Sequence, residues 1–374
     1  MIKIAIITFS NSNDNYGQLL QAYALQAFLN ASGNDAYLID YQPDGWLTLN
    51  RNQPIVLAYI KNYIKRFLSF CHIRKPKIKF PDNRHFGEFR SSYLKYSLQT
   101  YVSYNELKKN PPLADIYMTG SDQVWNPRVG DMSPYMLGFV KGKPKIAYAA
   151  SLGGAAIPKR DESYLYGLLS QYNKIGIREY SGVEECKRIG LKNIEFTPDP
   201  TVLLTKEQWL AVASVESPFK TSKKKILVYS CYLPKGKLLE TIPDSNDYEI
   251  IVVDIINHDD SYSLLSINDW IAAIRDADYV ITNSFHATMF SLYLNTKFVT
   301  FRYDDSGGLR MNTRLDAIAS QTGLSERFPS FDRCNETFKI LESPVNWEMV
   351  DEKVEQMRTS GKVFLEQNIS ESSL

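Results

Sequence analysis

The chain has 374 residues, enough for two domains of ordinary size, and its 44% apolar and 23% charged residues are a globular composition. A net charge of +1 excludes a global field that would steer the protein to nucleic acid or to a membrane. The four cysteines, Cys71, Cys186, Cys231 and Cys334, lie far apart with no CxxC pair. That speaks against a zinc cluster or a disulfide scaffold and for a reduced, cytoplasmic setting. The apolar stretch at residues 2–7 is too short for a secretory signal, and no run approaches the roughly 18 apolar residues that read as a membrane span. The expectation is a soluble or peripheral protein. Its 24 tyrosines suit a wet cleft for a polar ligand as well as a core.

In chain order, Lys3–Phe9 is a continuous apolar run, the pattern of a buried parallel strand. A polar turn, Asn11–Tyr16, leads to Leu20, Tyr23, Ala24, Ala27 and Phe28 at helical spacing, with Gly33 as a stop signal. Ala36–Asp40 predicts the next strand, completing a strand–helix–strand unit of a doubly wound sheet. Residues 42–112 are less regular and include a basic, aromatic stretch, Tyr59–Lys79. Strands are expected again at Asp115–Thr119, Lys145–Ala150, Lys174–Arg178 and Ile194–Thr197. Thr205-Lys206-Glu207-Gln208 is a capping box that should open a helix at the start of a second domain. Strands follow at Lys225–Cys231 and Glu249–Ile255. A Ser266–Asp269 cap opens a helix carrying Trp270, Ile271 and Ile274. Next come a strand at Asp278–Thr282, a helix at Phe285–Leu294, a strand at Lys297–Phe301, a helix at Leu309–Gln321 and an amphipathic helix near Trp347–Phe364.

The expected architecture is α/β, with two Rossmann-like domains facing across a cleft. The first spans 1–200 with an insert near 45–112, the second spans 201–345, and 346–374 forms a helix packing back plus a polar tail. Ligands of such sheets bind beyond the carboxyl ends of the strands.

Five segments could carry chemistry there. Asp14, Asn15 and Gln18 sit at the first helix mouth, where they either meet an acceptor hydroxyl or simply cap the helix. The segment 119–127 packs Ser121, Asp122, Gln123 and Trp125 together. Trp125 could stack on a sugar and Asp122 could deprotonate a hydroxyl, or the whole is a Gly–Ser–Asp turn beside a core Trp. Arg178 ends an apolar strand and either clamps an anion or joins a structural ion pair. Asn283, Ser284 and His286 lie at a strand-to-helix turn. Ser284 is the N-cap there, and the first turn suits phosphate and a proton-transferring imidazole. Arg302, Arg310 and Arg314 form a cationic loop that could complete an anion site or start a solvated helix.

Together these segments resemble the polysaccharide pyruvyltransferase family. The likeness is carried by residues 15–26, Gly120–Asn126, Tyr148–Gly153, Arg178-Glu179, Asp199-Pro200-Thr201 and Thr282-Asn283-Ser284-Phe285-His286. It implies a glycosyltransferase B-like pair of domains. Phosphoenolpyruvate would be the co-substrate, without metal or other cofactor, and the acceptor a hexose of a capsule or exopolysaccharide precursor, polyprenyl-diphosphate-linked at the inner membrane face. Transfer would make a ketal. On that reading His286 is the acid and Asp122 the candidate base. Arg178, Asn283, Ser284 and Arg310 hold the donor, and Asp14, Asn15, Gln18, Ser121, Gln123 and Trp125 hold the acceptor. This chain has Ser284 where the family often carries Arg, and Ala287 where relatives often have Gly. The Tyr59–Lys79 stretch suggests a peripheral contact with anionic lipid, or else a solvated basic face. Other readings are a nucleotide-sugar glycosyltransferase of the same architecture and a non-catalytic subunit of a polysaccharide assembly complex.

Overall fold

A computed structural model of the chain describes residues 1–43, 82–128, 131–231, 238–243, 247–254, 263–303 and 312–372. The Tyr59–Lys79 stretch, the acidic pairs Asp259-Asp260 and Asp304-Asp305, and Arg310 lie outside the described residues.

The first half runs β1 (Lys3–Ile7), α1 (Tyr16–Ala31), β2 (Asp35–Tyr41), α2 (Phe86–Tyr93), β3 (Tyr96–Tyr101), α3 (Tyr104–Lys109), β4 (Ile116–Thr119), β5 (Lys145–Ala150), α4 (Glu162–Leu169), β6 (Lys174–Ile177), α5 (Tyr180–Arg188) and β7 (Ile194–Phe196). Its strands form one parallel sheet in the order β3-β2-β1-β4-β5-β6-β7. The central strands are buried on both faces, which is why Ile4–Ile7 and Ile146–Ala150 read as unbroken apolar runs. A short turn of 3-10 helix, Pro200–Leu203, leads into α6 (Lys206–Val212), β8 (Lys224–Ser230), β9 (Tyr248–Asp254), α7 (Ile267–Asp276), β10 (Tyr279–Thr282), α8 (Phe285–Leu294), β11 (Lys297–Thr300), α9 (Thr313–Thr322), α10 (Thr337–Glu342) and α11 (Trp347–Ser372). The second sheet is also parallel, in the order β11-β10-β8-β9.

Local chemistry sets the helix starts. The Asn15 side chain accepts from Gln18 N at α1, and Thr205 and Gln208 close a reciprocal capping box at α6. At α7 the Ser266 Oγ accepts from Asp269 N and donates to Asp269 Oδ2 at 2.7 Å. Asn295, in the left-handed region, ends α8.

The halves share one apolar core along part of their junction. Tyr16, the first residue of α1, stacks on Trp270 of α7 with ring centroids 5.1 Å apart and donates its hydroxyl to Leu265 O at 2.7 Å. Buried Arg84 donates to Asp254 O at the end of β9. Helix α11 adds Phe364, Leu365 and Ile369 to the same core, and Arg358 Nε donates to Val202 O at 2.9 Å. An apolar interface of this kind fixes the relation of the two sheets.

Several expectations need correction. The irregular insert contains α2, β3 and α3; β3 is an edge strand with a half-exposed face, Leu98 in open solvent, and so lacks the apolar run of its neighbours. Helices α4 and α5 were not among the expected elements, although α5 is amphipathic and buries Gly182, Val183 and Cys186 on one face. Helix α9 is described over Thr313–Thr322, residues 309–311 lying outside the described residues, and α11 continues past Phe364 into the tail.

Candidate active site at the domain junction

Each sheet has a point where its strand order reverses, and the two points face each other. In the first sheet the reversal lies between β1 and β4, whose ends are tied by Thr8 Oγ1 donating to Ser121 O at 2.8 Å. In the second it lies between β8 and β10. There the Asn283 side chain accepts from Cys231 N at 2.7 Å and donates to Cys231 O at 2.6 Å. Such reversals open crevices beyond the carboxyl ends of parallel strands. Helix α1 leaves the first crevice and α8 the second, so two helix mouths with their partial positive charge converge.

His286 sits between those mouths. It is in the first turn of α8, 9% exposed, and its ring lies against Gly17 in the first turn of α1. A Cβ at Gly17 would meet the ring at Nδ1, Cγ and Cε1, so glycine there is a matter of space. Nε2 is 3.7 Å from Asp199 Oδ2, an ion-pair contact longer than a hydrogen bond. Asp199 is buried at the start of the Pro200–Leu203 turn, and its Oδ1 accepts from Thr201 N at 3.0 Å and Thr201 Oγ1 at 2.8 Å. Its Oδ2 also accepts from Arg178 Nη1 at 2.6 Å. Burial pushes the Asp199 carboxyl up, but His286, the Arg178 charge and the Thr201 N–H outweigh it and hold the group well below the usual carboxylate range.

Arg178, just past β6, is therefore a hub. Nη1 holds Asp199, and Nη2 donates to Asp122 Oδ1 at 3.3 Å. The donor-clamp expectation is corrected to this extent: both terminal nitrogens already carry carboxylates, and the side chain is only 1% exposed. Asp122 has φ 73°, a left-handed conformation that Asp tolerates better than most residues, and its side chain retains some exposure. Neighbouring Glu179 is buried, with Oε1 accepting from Ser151 Oγ and Leu152 N.

Other expected site residues prove to be scaffold. Trp125 is fully buried and donates Nε1 to Tyr135 O at 3.0 Å, so it is a core residue and no platform for a sugar. Ser121 is buried with its hydroxyl on Ala149 O. Asn283 is buried with both ends of its amide on Cys231, which removes it from donor contact. Ser284 is the N-cap of α8, its Oγ accepting from Ala287 N at 3.4 Å. At the α1 mouth, Asn15 caps the helix, Gln18 Oε1 accepts from Ser12 N at 3.0 Å, and Asp14 Oδ1 accepts from Ser12 Oγ at 2.5 Å. All three stay partly exposed beside Gly17. Gln123 accepts from Asn126 Nδ2 at 2.8 Å under Gly153. What the sequence did not assign was Asp199, which joins His286 to Arg178; its Asp-Pro-Thr motif was visible, but its role depends on contacts across the domain boundary.

Two parallel sheets facing over a polar junction define the glycosyltransferase B-type architecture. Solved structures agree on the fold. They include a UDP-N-acetylglucosamine 2-epimerase from Rickettsia bellii (12% identity, covering 100% of this chain and 97% of that one, TM-score 0.54). The glycotransferase of kitacinnamycin aligns similarly (11%, 98% and 99%, TM-score 0.53). So does the UDP-GlcNAc 2-epimerase from Neisseria meningitidis bound to UDP-GlcNAc (10%, 98% and 99%, TM-score 0.53). No curated protein matches the sequence. The family model of polysaccharide pyruvyl transferases matches residues 15–305, and the chain belongs to that family. Among the described residues, no helix is long and apolar enough to cross a membrane.

Proposed function

We propose that the chain transfers the pyruvyl group of phosphoenolpyruvate to two hydroxyls of one hexose in a lipid-linked surface-polysaccharide precursor, as a ketal. The observation that carries this reading is His286, at a helix mouth between the two sheets, beside a buried aspartate that stays ionised. Phosphoenolpyruvate needs a proton at its methylene carbon, and an imidazolium is suited to give it near neutral pH. Protonation leaves cationic character on the adjoining carbon, where a sugar hydroxyl adds and loses its proton. The C–O bond to phosphate then breaks, phosphate departs, and a second hydroxyl closes the ketal with loss of another proton.

Asp199 faces the imidazole and offsets the charge of its protonated form. Arg178 anchors Asp199 and Asp122 at fixed positions, and Asp122, with the more exposed carboxylate of the two, is the candidate base for the entering hydroxyl. The partly exposed side chains of Asp14, Asn15, Gln18 and Gln123 belong to the acceptor side. The helix N–H groups behind Ser284 face the donor.

The test is incubation of purified protein with phosphoenolpyruvate and candidate saccharides, free and polyprenyl-diphosphate-linked, in heavy water. One phosphate released per acceptor pyruvylated, with deuterium in the new methyl group, supports the proposal. Release of nucleotide from a nucleotide sugar would transfer the chain to the glycosyltransferase reading. Inertness with every donor would end the catalytic reading.

A further inference from the structure

Arg314 is a cation of the same junction that pairs with no acid among the described residues. It lies in the first turn of α9, the end of a helix that disfavours positive charge. The helix start is fixed to the end of β11, because the Asn312 side chain accepts from Tyr303 N at 2.8 Å and donates to Tyr303 O at 2.9 Å. This places the Arg314 Cζ 5.3 Å from the centroid of the Phe285 ring, beside His286. The Arg178 Cζ is 5.3 Å from the same centroid, so two guanidinium groups share one aromatic ring.

Their situations differ in one respect. Arg178 is answered by Asp199 and Asp122. Arg314 has neither a hydrogen bond nor an ion pair among the described residues, whereas Arg302 nearby is paired with Asp316. Burial pushes the Arg314 pKa down, the Arg178 charge pushes it further, and Asp122, Glu179 and Tyr303 only partly compensate. Cation–π contact with Phe285 holds the guanidinium in orientation but supplies no counter-charge. A guanidinium whose donors meet no acceptor among the described residues, beside a second cation, is suited to a carboxylate or a phosphate, which it can grip bidentately.

We propose that Arg314 seats the anionic group of the ligand bound at the domain junction, with Phe285 orienting its guanidinium and the aspartates keeping Arg178 out of that role. That the ligand is phosphoenolpyruvate rests on the function proposed above; the anion seat does not.

The probes are phosphoenolpyruvate, inorganic phosphate and pyruvate, titrated by calorimetry into wild type, Arg314→Met and Arg314→Gln. Loss of a charge-assisted pair should weaken phosphoenolpyruvate binding about tenfold or more in both neutral variants. Arg314→Lys should recover part of the loss, since it keeps the charge without the planar fork. Weakening for phosphate alone would place the phosphate at Arg314, and weakening for pyruvate alone would place the carboxylate there. Unchanged affinity for all three probes in a folded neutral variant overturns the proposal. Phenylglyoxal labelling of the wild type, mapped by mass spectrometry, needs no variant: bound phosphoenolpyruvate or phosphate should protect Arg314, and equal labelling with and without them also overturns it. Arg314-dependent binding of phosphate with no phosphoenolpyruvate turnover would keep the seat and discard the pyruvyl reading. Turnover with Arg314 dispensable would do the reverse.

Discussion

Gly17→Ala separates the position of His286 from the stability of the fold. Gly17 is in the first turn of α1, where alanine is about 1 kcal/mol better than glycine as a helix former, so the helix itself should not suffer. The added Cβ would fall on Nδ1, Cγ and Cε1 of His286, all inside the 3.0 Å that real Cβ atoms keep from such neighbours. Its three nearest atoms all belong to that imidazole, so relief of the contact must move the ring. A displacement on the order of 1 Å is enough to cost about 10²-fold in rate. The expected result is therefore a fall of about 10²-fold in phosphate release from phosphoenolpyruvate, with cooperative unfolding retained. Combined with His286→Ala, the second substitution should add almost nothing, because both act on one ring. Normal turnover by Gly17→Ala would show that the ring is not needed where it sits, and the reasoning would fail.

Arg178→Ala should destabilise the protein by about 3–5 kcal/mol, since it strands two buried carboxylates; chemical denaturation measures this. The Asp199 carboxyl is held low in the folded state, so its contribution to stability is present above about pH 4 and is lost as the pH falls further towards its folded value. Melting temperatures followed below pH 4 should therefore drop more steeply in the wild type than in Asp199→Asn, and parallel curves would refute that link. Trp125→Phe should lower stability by about 1–3 kcal/mol, through the lost hydrogen bond to the Tyr135 carbonyl, which keeps its bond from Thr119 Oγ1, and lost packing, yet leave the acceptor KM unchanged. A large rise in that KM would return Trp125 to the acceptor site.

Local signals were legible in the sequence and long-range ones were not. The turn from β10 into α8 could be read because Thr282, Asn283 and Ser284 break an apolar strand just before an apolar helix, and the cap is a single-residue property. The buried sheet centres were legible from Ile4–Ile7 and Ile146–Ala150 for the same reason. Edge strand β3 was missed because Tyr96–Tyr101 buries little and carries no continuous apolar signature. Within the site, the sequence placed His286, Asp122 and Arg178 at strand ends but could not say which partners they meet. Trp125 and Asn283 look like ligand contacts by residue type, and only tertiary packing shows that Tyr135 and Cys231 already hold their polar atoms. Asp199 was the converse: an acid in a short turn after the first sheet, whose importance comes from meeting Arg178 of one half and His286 of the other.

In the proposed reaction the imidazole at the junction of the sheets donates the proton that activates phosphoenolpyruvate. Single-turnover phosphate release by His286→Gln, at a pH where the wild type is fully active, addresses it directly. A fall of about 10²-fold or more, with the fold and donor affinity retained, is the expected result. Release at close to the wild-type rate would mean that the proton comes from elsewhere, and the chemistry assigned to this junction would be wrong.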